Sequence, residues 1–382
     1  MARTVGVEEE LLLLDPDSRQ VAAAAPAVLK EFHEHGHGRR PPHAATDEID
    51  HELFRHQLET RTDPASDLGA VLDQVLAARR TAGEAARAVG LRVGAAGTVP
   101  LGGSEPVLTT DDRYRDMLDT YGQVAGAMGT CGMHVHTEVG SDEEGVAVID
   151  AIAPWLPVLV ALSANSPFAD GVDTGYASWR AQVWSRWPSA GPTAQFGSVA
   201  GYRAVARTLL ETGAARDPGM LYFDARLSES QPTVEVRVCD VCTDPAIVVG
   251  IVALVRGLVE TTAGEWRSGG RPAQVRVETL RAAHWRASRH GMSDALVHPE
   301  TERLAPAREV LAALVDRVRA AVDAAGDAEV VDAVLERPVA GNGAARQRSA
   351  YERTGEVAGV VDDLIARTEG SWAPGALGSA HG

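Results

Sequence analysis

The chain has 382 residues, of which 36 are Lys or Arg and 53 are Asp or Glu, for a formal charge of −17. A chain of this length can bury a large core without cross-links, and its acidity repels nucleic acid, which binds through a basic footprint. The three cysteines, Cys131, Cys239 and Cys242, argue against a disulfide framework and for a reducing compartment, with the cytoplasm as the default; with no apolar signal core and no apolar run near ~20 residues, no membrane partner is expected.

In chain order, Thr4 to Leu14 reads as the first strand. Pro26 to His35 reads as a short helix and Gly36 to His43 as a Pro/Gly/His loop. A mixed acidic and apolar stretch follows from Asp47 to Thr62. From Ser66 to Val89, Leu68, Val71, Leu72, Val75 and Leu76 recur at helical spacing and predict a long amphipathic helix. Strands are expected at Leu91 to Ala96, Gly132 to Val139, Leu221 to Leu227 and Thr233 to Val241, with helices near Glu144 to Ser163 and Ser198 to Thr212. Asp244-Pro245 supplies an N-cap and a first-turn proline for an apolar helix to about Trp266, and the remainder reads as helical to about Thr368. Strands that cluster ahead of terminal helices, without βαβ alternation, predict an α+β fold with a largely antiparallel sheet. We expect one domain over residues 1–369 and a disordered Pro/Gly-rich tail over 370–382.

Three strands carry the chemistry. In Gly6-Val7-Glu8-Glu9-Glu10, alternation sets Glu8 and Glu10 on one face, roughly 6.5–7 Å apart, a spacing that suits a pair of hard cations. A solvated acidic edge strand is the alternative. Gly132-Met133-His134-Val135-His136-Thr137-Glu138 aligns His134, His136 and Glu138 above an apolar face, which admits either a zinc site or two hydrogen-bonded sheet histidines. In Thr233-Val234-Glu235-Val236-Arg237-Val238, the valines form one face while Glu235 and Arg237 share the other. There a metal ligand beside a bidentate phosphate clamp competes with a plain ion-pair ladder. Tyr222, Asp224 and Arg226 are expected on one face of the preceding strand. Cys239 and Cys242, three apart on an extended strand, point to opposite faces and do not form a redox pair. The chain has no GxxxxGK[ST], GxGxxG or GxSxG motif, so any phosphate must be held by metals and arginines.

The order of motifs resembles the carboxylate–amine ligases of the glutamate–cysteine ligase type 2 family over nearly the whole chain. Those motifs are Gly6-Val7-Glu8-Glu9-Glu10, Gln57-Leu58-Glu59, Gly132-Met133-His134-Val135-His136, Leu162-Ser163-Ala164-Asn165-Ser166-Pro167-Phe168, Thr233-Val234-Glu235-Val236-Arg237 and Gly343-Ala344-Ala345-Arg346-Gln347-Arg348. The resemblance implies a glutamine-synthetase-like concave sheet flanked by helices, with ATP and Mg2+ or Mn2+ on one face. It implies a metal-facing set of Glu8, Glu10, Glu59, His134 and Glu235, a catalytic role for Glu8, Glu10 and Arg237, and phosphate contact by Arg237, with Glu52 and Arg226 as further carry-overs. Arg180 and Arg186 become candidates for gripping a substrate carboxylate, and Arg346 and Arg348 for closing over the nucleotide. The implied partners are a small carboxylate and a small amine, joined through an acyl phosphate; a homo-oligomer is compatible with all of this. The rival readings are a guanidino-type phosphotransferase on the same face, a zinc hydrolase centred on His134 and His136, and a non-catalytic relative of such a ligase.

Overall fold

The computed structural model describes residues 2–35, 49–102, 107, 109, 112–126, 129–337 and 341–373. The loop expected over Gly36 to His43 falls outside them. The described strands are β1 (Val5–Leu14), β2 (Ile49–His51), β3 (Gln57–Arg61), β4 (Arg92–Gly94), β5 (Gly132–Glu138), β6 (Phe168–Ala169), β7 (Val172–Asp173), β8 (Ala225–Leu227), β9 (Thr233–Asp240), β10 (Ala295–Val297) and β11 (Leu304–Pro306). The helices are α1 (Ala25–His35), α2 (Leu68–Ala88), α3 (Asp112–Tyr121), α4 (Asp142–Ile152), α5 (Leu156–Ser163), α6 (Trp179–Trp184), α7 (Val199–Glu211), α8 (Pro245–Arg267), α9 (Val277–His290), α10 (Ala307–Ala325), α11 (Ala328–Glu336), α12 (Gly343–Thr354) and α13 (Val357–Gly370).

One antiparallel sheet organises the molecule, in the order β2-β3-β1-β5-β9-β8 with β4 also paired to β1. Alternation gives it two chemically different faces. Val5, Val7, Met133, Val135, Val234, Val236 and Val238 point into a core shared with α4, α5, α8 and α10. Helix α8 is the main support of that core. Asp244 caps it by accepting from the Ala246 amide at 3.0 Å, and Ile251, Val252, Leu254, Val255, Leu258 and Val259 are fully buried. Each such side chain contributes about 1.5–3 kcal/mol on burial. A second core collects Leu11 to Leu14 of β1 with Val93 of β4, Ala82, Ala85 and Ala86 of α2, and Val360, Val361 and Leu364 of α13. By length and composition Asp142–Ser163 and Pro245–Arg267 would pass as membrane spans, yet 78% and 83% of their most apolar 18-residue stretches are buried within the protein. They are core helices.

Three expectations change in the structure. The helix expected over Glu144 to Ser163 is two helices separated by a tight 3-10 turn at Ala153–Trp155, because Pro154 and Pro157 each remove an amide donor. The strand expected from Leu221 is confined to β8, since Phe223 instead bridges to Gly191 and Pro218–Met220 forms a 3-10 turn. The stretch read as helical after Trp266 is interrupted by the β10–β11 hairpin. At the chain's far end α13 runs to Gly370 and Trp372 packs against the second core, while residues 374–382 lie outside the description.

Between β2 and β3, Phe54 stacks on His56 with ring centroids 5.3 Å apart and an interplanar angle of 17°. The His56 ring is 2% exposed, and burial pushes its imidazole down to about 4. The folded value lies below the unfolded one, so the unfolded chain takes up the proton first as pH falls. Stability from this group is therefore complete above about 6.5 and is lost toward about 4, with a loss of about 2 kcal/mol by pH 5. His56→Gln should narrow the difference in melting temperature between about pH 7.5 and about pH 5. An unchanged difference would mean that the ring titrates normally.

Candidate active site

The polar face of the sheet gathers residues far apart in the chain. Antiparallel register sets Glu8 opposite His134 on β5 and opposite Arg61 on β3, Glu10 opposite Glu59, and Glu235 opposite His136 and Arg226. His134 Nδ1 lies 3.1 Å from Glu8 Oε2 and 3.8 Å from Glu235 Oε1. His136 Nε2 lies 3.5 Å from Glu8 Oε1. One ligand atom from each of Glu8, His136 and Glu235 falls within 4.8 Å of the others.

Charge is divided unevenly across this face. Burial alone would raise Glu8, but the hydrogen bond with His134 and the nearby His136 ring hold its carboxyl well below the usual range. Burial likewise opposes ionisation of Glu235, and the Arg237 and Arg226 guanidiniums overcome it, drawing Glu235 down to about 2. Arg237 pairs with Glu235 through Nη1, while Arg226 Nε sits 2.7 Å from the other carboxylate oxygen. Burial, with Arg237 close by, pushes His134 down to about 4, which leaves its ring neutral at physiological pH.

A few ångströms along β1 the balance reverses. Burial and the neighbouring Glu52 push Glu10 up to about 7. Burial and Glu8 push Glu59 up to about 7. Burial and Glu59 push Glu52 well above its ordinary value. Glu10 accepts the Gly132 amide at 2.5 Å and Glu59 meets Arg61 Nε at 2.6 Å. These contacts do not neutralise three converging carboxyls, which must either hold protons or share cations.

The donor set fits divalent metal. Nε2 of both His134 and His136 is buried without a hydrogen-bond partner, an arrangement that is costly unless something meets the lone pair. With Glu8 and Glu235, His136 offers one mixed nitrogen and oxygen cluster, and His134 stands beside it. Glu10, Glu52 and Glu59 line the central cavity next to it and bring only oxygen donors. Magnesium prefers oxygen ligands and manganese accepts imidazole as well.

Three cavities meet at this face. A central one of about 290 Å³ is lined by Glu8, Glu10, Glu52, Glu59, His134 and Arg237. A larger one of about 780 Å³ lies beyond Arg237, under α6 and α9. A third, of about 570 Å³, opens past Glu8, His136, Arg226 and Glu235 toward Ser228 to Thr233. The carboxylates thus form a waist between two openings.

The other expected residues divide into two groups. Arg180 and Arg186 both line the large cavity. Arg180 is 2% exposed and lies so close over β5 that a Cβ at Gly132 would collide with its guanidinium. Asp240, Ser166 and Ser178 hold its helix in place: Ser166 Oγ and Ser178 Oγ both donate to Asp240, at 2.7 and 2.8 Å, and Ser166 Oγ accepts the Arg180 amide at 3.0 Å. Arg346 and Arg348 do not join the site and line none of the three cavities. Arg346 pairs with Asp244 at the start of α8, at 3.1 Å, beside Arg337. Arg348 is committed to Asp173 at 2.8 Å and to the Tyr176 carbonyl. Both arginines of α12 are thus engaged by nearby acids. Arg61 was missed, although the same alternation that singles out Glu59 places it on the same face. Tyr222 and Asp224, which alternation sets on one face with Arg226, also line the site, as do Trp184 and His284, which no local spacing announces.

An antiparallel sheet thus carries helices on one face and converging acids and arginines on the other. The model of the glutamate–cysteine ligase family 2 matches residues 4–363, and the chain belongs to that family of carboxylate–amine ligases. A protein of Nocardioides sp. named "Putative glutamate–cysteine ligase 2-1" is 69% identical over 372 residues, 97% of each chain. A Streptomyces coelicolor protein named "Putative glutamate–cysteine ligase 2" is 45% identical over 96% of this chain and 99% of its own. Among solved structures, a glutamate–cysteine ligase from Francisella tularensis in complex with AMP superposes with a TM-score of 0.66 at 12% identity, over 97% of this chain and 89% of its own. A bifunctional glutathione synthetase from Pasteurella multocida gives the same TM-score at 15% identity, over 97% of this chain and 53% of its own. The fold is the α+β, glutamine-synthetase-like one of these ligases.

Proposed function

We propose that this protein is an ATP- and Mg2+-dependent ligase that activates a carboxylate as an acyl phosphate and transfers the acyl group to an amine. The observation that carries this reading is the waist of converging carboxyls between two cavities, bordered by Arg226 and Arg237. Bound divalent cations would offset the charge of the phosphate oxygens and draw two anions together. Glu8, His136 and Glu235, with His134, would hold one cation, and Glu10, Glu59 and Glu52 another. Arg237, kept charged by Glu235, would contact the phosphoryl group and stabilise charge that develops during its transfer. The third cavity would take the nucleotide, and the large cavity with Arg180 and Arg186 the anionic carboxylate. A carboxylate oxygen attacks the γ-phosphorus and ADP leaves; the amine nitrogen then attacks the acyl carbon, phosphate leaves, and the extra proton on nitrogen passes to solvent. The Francisella protein's AMP complex supports adenine-nucleotide use by this fold, and the relatives' names make glutamate and cysteine, giving γ-glutamylcysteine, the first pair to try. The three cysteines, free and buried, suit a cytoplasmic setting.

Incubation with ATP, Mg2+, L-glutamate and hydroxylamine should trap the acyl phosphate as a hydroxamate, with one ADP released per product. If a broad panel of carboxylates yields neither hydroxamate nor amide, the reading is wrong. A phosphorylated guanidine without amide would identify a phosphotransferase instead, and zinc-restored hydrolysis without nucleotide a hydrolase.

A further inference from the structure

The large cavity is strongly cationic. Arg180, Arg186, Arg237 and Arg281 line it, and Asp224 is the single acid among its described lining residues. Arg180 and Arg237 are buried, and the Nε of each lacks a hydrogen-bond partner. Arg186 lies 5.9 Å over the Trp179 ring, and among the described residues neither it nor Arg281 has an ion pair. An acid among four arginines would be expected to pair with one of them. Asp224 does not.

Its neighbour is His284 of α9, with Nε2 3.0 Å from Asp224 Oδ2. The two atoms are close but misaligned for a hydrogen bond, so both remain buried and unsatisfied. The Asp224 backbone is fixed nonetheless: its carbonyl accepts the Arg237 amide at 2.9 Å and its amide donates to the Gly191 carbonyl at 3.3 Å. A carboxylate held beside Arg237, with Oδ2 buried against His284 and the side chain still 13% exposed at the cavity wall, is arranged for a donor that reaches it from the opening. The arginines call for anionic groups and Asp224 calls for a cationic one, within the same opening.

We propose that Asp224, positioned by His284, receives an ammonium group of the carboxylate substrate, so that the large cavity selects an amino acid over a simple carboxylate. The α-carboxylate would then face the arginines at the mouth, and the second carboxylate would reach past Arg237 toward the acids of the central cavity. Tyr222 and Trp184, with ring centroids 4.6 Å apart, form an aromatic wall beside the aliphatic part. This inference rests on the ligase reading for its substrate but not for the receptor itself.

The test compares L-glutamate with glutarate, which has the same skeleton without the amino group, in the hydroxamate assay. A site built around a buried hydrogen-bonding partner rejects an analogue that lacks it, so the wild type should favour glutamate by at least about a hundredfold in kcat/KM. Asp224→Asn should collapse that ratio to within about tenfold, chiefly through KM for glutamate. Equal losses for both substrates, or no preference in the wild type, would overturn the proposal. Where melting shows Asp224→Asn to be unfolded, His284→Gln is measured in its place and must reduce the same ratio. If the wild type makes no hydroxamate with any carboxylate, the ligase reading fails on its own. The receptor is then judged by calorimetric binding of glutamate against glutarate, where equal affinities would sink it.

Discussion

Glu10→Gln should lower turnover by at least about a hundredfold, the scale seen when one preorganised electrostatic contact is removed from a site of developing charge, while leaving the metal-free protein at least as stable as the wild type. The two halves of this expectation come from the same feature. Burial and Glu52 hold the Glu10 carboxyl up at about 7, so near neutral pH much of the metal-free protein already carries it protonated. Glutamine has nearly the shape of that protonated acid and still offers an oxygen to the Gly132 amide. The variant cannot, however, supply a negative charge to a cation. Melting in chelator should therefore match or exceed the wild type, and the rise in melting temperature on adding Mg2+ should shrink. Near-normal turnover, or an undiminished Mg2+ shift, would remove Glu10 from the metal-binding set.

Local alternation made a large part of this site legible, because strand geometry converts spacing directly into direction. Glu8 and Glu10, Glu235 and Arg237, and the histidine pair all lie on the face expected of them. The ligating atoms are less predictable. His136, rather than His134, joins Glu8 and Glu235 within mutual ligand distance, since small changes in ring orientation and the register shift between Met133 and Val135 decide which nitrogen meets the carboxylates. Residues contributed by connections were harder still. Glu52 enters from the segment before β3, and Asp224 and His284 come together from a bend and a helix 60 residues apart in the numbering. No period links such positions, and only tertiary packing decides that they meet. The β10–β11 hairpin was hidden by helix-forming residues on both sides, although His298-Pro299 marked a break in the chain. The partners of Arg346 and Arg348 were hidden for a related reason: a motif gives residue types, while the acids that pair with those arginines, Asp244 and Asp173, lie elsewhere in the sequence.

The middle residue of the acidic triplet has a different fate from its neighbours. Glu9 points through the sheet toward α2, where Arg79 meets it with Nε at 2.7 Å from Oε2 and Nη2 at 2.6 Å from Oε1. Arg79 is 0% exposed and Glu9 2% exposed. The same guanidinium donates to the carbonyls of Cys242 at 2.6 Å and Thr243 at 3.0 Å, just after β9 and just before α8. One arginine thereby ties β1 to the turn that aims α8 at the core. Arg79→Met keeps much of the side-chain volume but leaves a buried carboxylate and two carbonyls without their partner, a loss expected to cost about 3–5 kcal/mol. Denaturant midpoints should fall accordingly. Adding Glu9→Leu removes the stranded charge and should recover a large share of the loss, though not all, because the Cys242 and Thr243 carbonyls stay unpaired. Since Arg79 touches none of the three cavities, the fraction of Arg79→Met that remains folded should keep its turnover. The contrast with Glu10→Gln is the informative result: one variant loses stability through the partner of Glu9, the other loses chemistry at the next position on the same strand. If Arg79→Met melts like the wild type, or if Glu9→Leu deepens its loss, the pair is not the tether that the packing makes it.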